Sequence, residues 1–110
     1  METISIIIPC YNEEEAIPVY YETMVRQMNE MEEQQKVQFE LIFVDDGSKD
    51  HTAYIVKSHF ANDTRVGVIS IPNGGKANAL NVGLAQARGE VIVALDADTQ
   101  FNADTISRLV

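Results

Sequence analysis

Two carboxylates, Asp96 and Asp98, form the pair in the sequence that most strongly suggests chemistry. They directly follow the apolar run 91–95, and side chains two residues apart in an extended segment point to the same side. Two like charges so close need a cation or a shared proton, and hard oxygen ligands suit Mg²⁺ or Mn²⁺ with phosphate oxygens completing the shell. The alternative is that Asp98 and Thr99 only cap a turn. The position after an apolar run, among other polar run ends, favours a metal site.

A second acidic pair, Asp45 and Asp46, follows the apolar run 41–44 and precedes Gly47 and Ser48. These four residues suit a turn and a helix cap. A carboxylate at the end of a strand can also accept hydrogen bonds from a nucleobase N–H or a ribose hydroxyl. Both interpretations stay open on spacing alone.

Three further residues stand beside apolar runs. Tyr11 either packs in the core or offers a ring on which a base can stack. Lys76 follows two glycines at the predicted start of a helix, which suits a diphosphate, although a surface lysine is equally compatible. The single cysteine, Cys10, excludes an intrachain disulfide and a cysteine-based zinc site, and we predict that it is a small buried filler.

The elements that must position these residues alternate along the chain. Strands are predicted at 4–8, 39–44, 66–71 and 90–95, and helices at 14–33, 52–61, 76–88 and from 104 onward. Pro9 is expected to end the first strand. The first helix starts either at a capping box formed by Asn12 with Glu15 or with Pro18 in its first turn.

The third predicted helix has an apolar face that we expect to pack on the sheet, comprising Ala77, Leu80, Leu84 and Ala87. Gly89 is placed to be its C′ residue. The whole pattern, βαβαβαβ, predicts one α/β domain over residues 1–110, a three-layer, Rossmann-like fold with a parallel sheet of four strands flanked by helices. Ligands in such sheets bind beyond the carboxyl ends of the strands, where the polar residues above gather.

Length and charge limit the possible functions. The chain has 110 residues, enough for one core, and its formal charge is −9. That field repels nucleic acid and anionic lipid, so we expect no nucleic-acid partner. Apolar runs are too short for a membrane segment and no targeting signal is visible, which predicts a cytoplasmic domain.

Other phosphate-binding folds fit poorly. Residues 74–77 lack both the spacing and the hydroxyl of a P-loop, and no G-x-G-x-x-G follows the first strand. Phospho-accepting receiver domains place their acidic pair after the first strand and their lysine after a late one, and here both are misplaced.

The sequence resembles the inverting nucleotide-sugar glycosyltransferases of family 2, which have the GT-A fold. The resemblance rests on ISIIIPCYNEEEAI (4–17), LIFVDDGSKDHT (41–52), NGGKANALNVGLAQARGE (73–90) and VIVALDADT (91–99). It implies a UDP- or GDP-sugar donor with Mg²⁺ or Mn²⁺. The implied binding residues are Pro9, Tyr11 and Glu13 around the nucleoside, Asp45 on the base, Asp46 supporting the pocket, Lys76 and Asp96 near the nucleotide, and Asp96 and Asp98 on the metal.

Two departures from the family pattern follow. The family's later segment carries the acceptor pocket and the general base, and it has no counterpart here, so we assign no catalytic residue. We therefore expect a donor-binding fragment or half-domain that does not transfer sugar efficiently by itself. Residues 4–52 resemble polyprenyl-phosphate glycosyltransferases and residues 73–99 resemble processive polysaccharide synthases, as natural divergence or recombination of two relatives would produce. Both branches commonly work at membranes. The alternative function is a non-catalytic module that self-associates, for example as a homodimer.

Overall fold

The computed structural model describes residues 2–95, which contain four strands and three helices. In chain order the elements are β1 (Glu2–Cys10), α1 (Ile17–Gln35), β2 (Val37–Asp46), α2 (Thr52–His59), β3 (Val66–Ile71), α3 (Lys76–Gln86) and β4 (Val91–Ala94). The predicted alternation of strands and helices is confirmed over this range. The helix predicted from residue 104 lies outside it.

The four strands form one parallel sheet in the order β3-β2-β1-β4. β1 lies between β2 and β4, and Ile4, Ile6 and Ile7 are fully buried because helices cover both of its faces. In the sheet, β2 and β3 lie on one side of β1, and β4 lies on the other side. The strand order therefore reverses between β1 and β4, which is where open parallel sheets bind ligands.

Helices cover both faces of the sheet, as predicted. On one face, Ile6 packs in a cluster with Met28 of α1 and Val56 of α2. On the other, Ile7 packs in a cluster with Ala79 of α3. Because crossovers are right-handed, reversing the direction in which strands are added moves the connecting helix to the opposite face.

The side of α3 that faces the sheet differs in part from the predicted one. Ala79 and Gly83 are buried, whereas Ala77 and Leu84 of the predicted face are exposed. A Cβ built on Gly83 would lie only 2.4 Å from Cγ2 of Ile7. Leu80 and Ala87 of the predicted face do pack against the cluster of Ile7 and Ala79, so the prediction was wrong only for Ala77 and Leu84. The helix lies so close to β1 that small side chains occupy the centre of the contact.

β1 continues through Pro9, which was expected to end it. Pro9 pairs with Val44 of β2. The carbonyl groups of Thr3 and Ile7 accept hydrogen bonds from the β4 side, so odd-numbered residues of β1 direct their backbone groups toward β4. The paired part of β4 stops opposite Ile7, and the N–H that proline lacks would therefore have no strand partner among residues 2–95.

The helix ends resolve two further expectations. α1 begins at Ile17 with Pro18 in its first turn, and the capping box is not formed because the Asn12 side chain accepts a hydrogen bond from residue 49 instead. α3 ends at Gln86, and Gly89 is not a left-handed C′ residue. A Cβ on Gly89 would lie 2.6 Å from Oγ of Ser5, so this glycine permits a close approach to β1.

Candidate functional site

The carboxyl ends of β1, β2 and β3 meet at one edge of the sheet, together with loops 11–16, 47–51 and 72–75. We call this the carboxyl edge. Register places Cys10 of β1 opposite Asp45 of β2, and Asp45 opposite Ser70 of β3. The structure thus brings together Pro9, Tyr11, Glu13, Asp45, Asp46 and Lys76, as expected from the sequence. Their binding roles remain predictions.

Asp46 connects the end of β2 to the loop after β3. Its carboxylate, 5% exposed, accepts hydrogen bonds from the N–H groups of Gly74 at 2.8 Å and Gly75 at 3.1 Å. Its backbone carbonyl accepts a third bond, from Nδ2 of Asn73 at 2.9 Å. The carboxylate therefore occupies amide groups immediately before α3, where an anion would otherwise be favoured.

The two loops also touch through Gly47. This residue has φ of 69°, and a Cβ on it would lie 2.5 Å from the backbone nitrogen of Asn73. A side chain at this position would both strain the backbone and separate the loops. The glycine after the acidic pair is therefore required for the contact that Asp46 maintains.

Asp45 has a different environment from its neighbour because adjacent strand residues point to opposite faces. It is 7% exposed, and its Oδ1 accepts a hydrogen bond from the N–H of Ser48 at 3.1 Å. Within residues 2–95, its second oxygen has no hydrogen-bond donor. This leaves acceptor capacity at the carboxyl edge, as a residue that binds a nucleobase N–H requires.

Tyr11 and Glu13 lie in the loop that follows β1. Tyr11 is 42% exposed, so it is not a core residue, and Glu13 is half-buried. The backbone of this loop donates hydrogen bonds to the side chains of Ser48 and Asp50 in the loop after β2 and of Thr52, the first residue of α2. Sequence reasoning offered Ser48 only a place in a turn and helix cap, and it assigned no role to Asp50 or Thr52. Their types signal local capping, and nothing in their spacing reveals a partner in another loop.

Lys76 is the first residue of α3 and its side chain is exposed. Gly75 before it has φ of 93°, a conformation that glycine adopts without strain. The lysine thus stands beside the loop that Asp46 holds, at the carboxyl edge.

The carboxyl edge carries a strong negative field. The pKa of the buried Cys10 thiol is raised to about 12, first by burial and then by Asp45, Glu13 and the other acidic residues nearby. Cys10 is 3% exposed, which confirms the prediction that it is buried, and it stays a thiol at neutral pH. An anionic ligand needs a compensating positive charge at this edge.

The predicted metal ligands, Asp96 and Asp98, lie outside the described residues. Within residues 2–95 there is no group of three or more histidine, cysteine or acidic side chains arranged to hold a metal ion. The N–H of Leu95 donates to the carbonyl of Ile7 at 3.0 Å, so the described chain ends beside β1 at the reversal point of the sheet. Carboxylate oxygens are ligands that Mg²⁺ and Mn²⁺ prefer, so the residue types of Asp96 and Asp98 suit either cation. The described helices include none with the length and hydropathy of a membrane span.

Comparison with known proteins identifies several similar chains. A prophage bactoprenol glucosyl transferase homolog of Escherichia coli is 39% identical over 108 residues, covering 97% of this chain and 34% of that protein. An undecaprenyl-phosphate 4-deoxy-4-formamido-L-arabinose transferase of Proteus mirabilis is 35% identical, covering 97% and 32%. The chain thus spans about a third of the length of these relatives. The matches extend across both halves, and the predicted difference in ancestry between the halves is not confirmed.

Solved structures show the same fold. The crystal structure of S. aureus TarS 1–349 has a TM-score of 0.78 and 30% identity, with 96% of this chain and 30% of that chain covered. The mannosyltransferase PcManGT from Pyrobaculum calidifontis, in complex with GDP-Man and Mn²⁺, has a TM-score of 0.78 and 27% identity, covering 94% and 30%. These matches do not favour the alternative of a non-catalytic module that self-associates, and they do not show a homodimer. Since the model of glycosyl transferase family 2 matches residues 5–110, the chain belongs to that family, and its sheet is of the GT-A type.

Proposed function

We propose that this chain is the donor-binding part of an inverting glycosyltransferase and binds a UDP- or GDP-sugar with Mg²⁺ or Mn²⁺. The observation that carries the proposal is the hydrogen-bonded convergence of loops 11–16, 47–51 and 72–75 at the carboxyl edge of the sheet, in a chain of family 2. The complex of the similar mannosyltransferase with GDP-Man and Mn²⁺ supports the choice of donor and cation.

Each residue has a physical reason for its proposed role. Tyr11 offers an exposed ring for stacking on the nucleobase. Asp45 has acceptor capacity for a base N–H, with Pro9 and Glu13 completing the nucleoside pocket. Asp46 supports that pocket through the loop it binds, which also sets the start of α3.

The diphosphate needs positive charge at an edge dominated by carboxylates. Lys76 supplies one charge near the nucleotide. Asp96 and Asp98 would hold a divalent cation, which when bound neutralises the negative charge that develops on the departing nucleoside diphosphate. Asp96 would lie close to both the metal and the donor.

We extend the proposal to the acceptor of the complete protein. The relatives above are named for bactoprenol and undecaprenyl phosphate, which are polyprenyl lipids. A polyprenyl phosphate acceptor would place the reaction at the cytoplasmic face of a membrane, where nucleotide sugars are available. No general base is assigned among the residues of this chain.

The test is calorimetric titration of the chain with GDP and with UDP, in the presence and absence of Mg²⁺. Wild-type protein should bind one of the two nucleotides more tightly with the metal. Asp98→Ala should lose that metal-dependent increase while its circular dichroism spectrum is unchanged. Asp104→Ala removes a carboxylate outside the Asp96 and Asp98 pair and should retain the increase. Equal metal dependence in Asp98→Ala and wild type would contradict the assignment.

A further inference from the structure

Three consecutive backbone N–H groups, those of residues 12–14, donate to side chains of the loop after β2 and of the first residue of α2. The acceptors are Oγ of Ser48 at 2.9 Å, Oγ1 of Thr52 at 2.8 Å and Oδ2 of Asp50 at 3.2 Å. We call this set of bonds the loop clamp. Glu13 lies within the clamped segment and Tyr11 directly precedes it. The loop clamp therefore determines the positions of both side chains.

The clamped segment includes a residue in an unusual conformation. Asn12 has φ of 54°, in the left-handed region that asparagine tolerates better than most residues. The N–H of Lys49 donates to Oδ1 of Asn12 at 2.8 Å, so the loop after β2 holds the side chain as well as the backbone of this residue. A loop with such a turn has other accessible conformations once its partners are removed.

Asp50 fixes the orientation of the Thr52 hydroxyl. Oδ1 of Asp50 accepts hydrogen bonds from both the N–H and the Oγ1–H of Thr52. Because the hydroxyl proton is directed to Asp50, a lone pair of Oγ1 faces the N–H of Glu13. Burial acts to raise the pKa of Asp50, but the bonds from Thr52 and from the N–H of Glu14 outweigh it and lower the pKa, so the carboxylate remains ionised at neutral pH.

We propose that Ser48, Asp50 and Thr52 are positioning residues that pre-organise residues 11–14 for binding of the nucleotide donor. The inference rests on the proposed donor-binding function of the carboxyl edge. Thr52 is the informative position because it is fully buried and its hydroxyl is the only polar group of its side chain. Valine there keeps the shape and removes the hydroxyl, whereas serine keeps the hydroxyl.

The experiment compares Thr52→Val and Thr52→Ser with Asp63→Asn as a control. Asp63 accepts bonds from the N–H and Nε of Arg65 in the loop before β3, remote from the carboxyl edge, so its replacement tests loss of stability alone. Amide exchange of residues 12–14 is measured without nucleotide, and affinity for GDP and UDP is measured with Mg²⁺.

Thr52→Val should lose amide protection at residues 12–14 and bind nucleotide about tenfold more weakly, the loss expected if the competent loop is populated in about one molecule in ten. Thr52→Ser should restore both, and Asp63→Asn should change neither. Unchanged protection and affinity in Thr52→Val, or equal weakening in Asp63→Asn, would overturn the inference. A wild-type chain that binds neither nucleotide overturns the proposed function and the role of the loop in it, while the exchange data separately report whether the clamp exists.

Discussion

The bonds of Asp46 to the loop before α3 predict that Asp46→Asn is strongly destabilising. The asparagine oxygen can still accept from one of the two N–H groups, Gly74 or Gly75, but its NH₂ group must face the other. One bond to a charged acceptor is lost, worth about 1.5–3 kcal/mol, and the remaining N–H loses its acceptor in a buried site. We expect a loss of about 3 kcal/mol in the free energy of unfolding. For a chain of this length that corresponds to a fall of about 12 °C in the melting temperature.

Urea unfolding and thermal melting at neutral pH measure the effect, with Asp45→Asn as the matched control. The carboxylate of Asp45 accepts the N–H of Ser48 with Oδ1, and an asparagine oxygen can do the same. The control should therefore cost less than about 1 kcal/mol. If the two variants unfold at the same urea concentration, Asp46 does not hold the loop before α3 in the manner described.

Three further predictions concern packing, pH and the thiol. Gly83→Ala places a methyl group 2.4 Å from Cγ2 of Ile7 in β1 and should lower the free energy of unfolding in urea by about 1–2 kcal/mol, despite the better helix propensity of alanine. The control Gly67→Ala adds its methyl group in open space and should cost under about 0.5 kcal/mol. The hydrogen bond from Arg65 lowers the pKa of Asp63 below its ordinary value of 3.8, so the folded state binds fewer protons than the unfolded chain. The ionised Asp63 therefore stabilises the fold above pH 3.8, and this contribution is lost as the pH falls through the lowered pKa. Asp63→Asn should accordingly cost more stability at pH 7 than at about pH 3, and a constant difference in urea unfolding would refute the ion pair. Cys10, buried and with its pKa raised to about 12, should resist iodoacetamide in the native protein and react only after unfolding, as mass spectrometry can show; rapid native alkylation would contradict its burial.

The sequence predicted the sheet because its signals are local. Apolar β-branched runs separated by segments of helical periodicity predict buried parallel strands. Because parallel strands end at the same edge of a sheet, the polar residues that follow the strands must lie at that edge. The centre of the contact face of α3 was not predictable from hydrophobicity, since Ala79 and Gly83 were selected by the distance between helix and sheet. The loop clamp was also missed. Its donors and acceptors are 36 to 39 residues apart, and Ser48, Asp50 and Thr52 are equally suited to capping α2.

The central claim is that the carboxyl edge binds a nucleotide-sugar donor with a divalent cation. Nuclear magnetic resonance titration of the ¹⁵N-labelled chain with UDP and GDP, each with and without Mg²⁺, tests it most directly. We predict shifts at Tyr11, Asp45 and Lys76 that strengthen with the metal. A well-dispersed spectrum without shifts up to about 1 mM nucleotide, or shifts confined to the opposite edge near Glu40 and Arg88, would contradict the account.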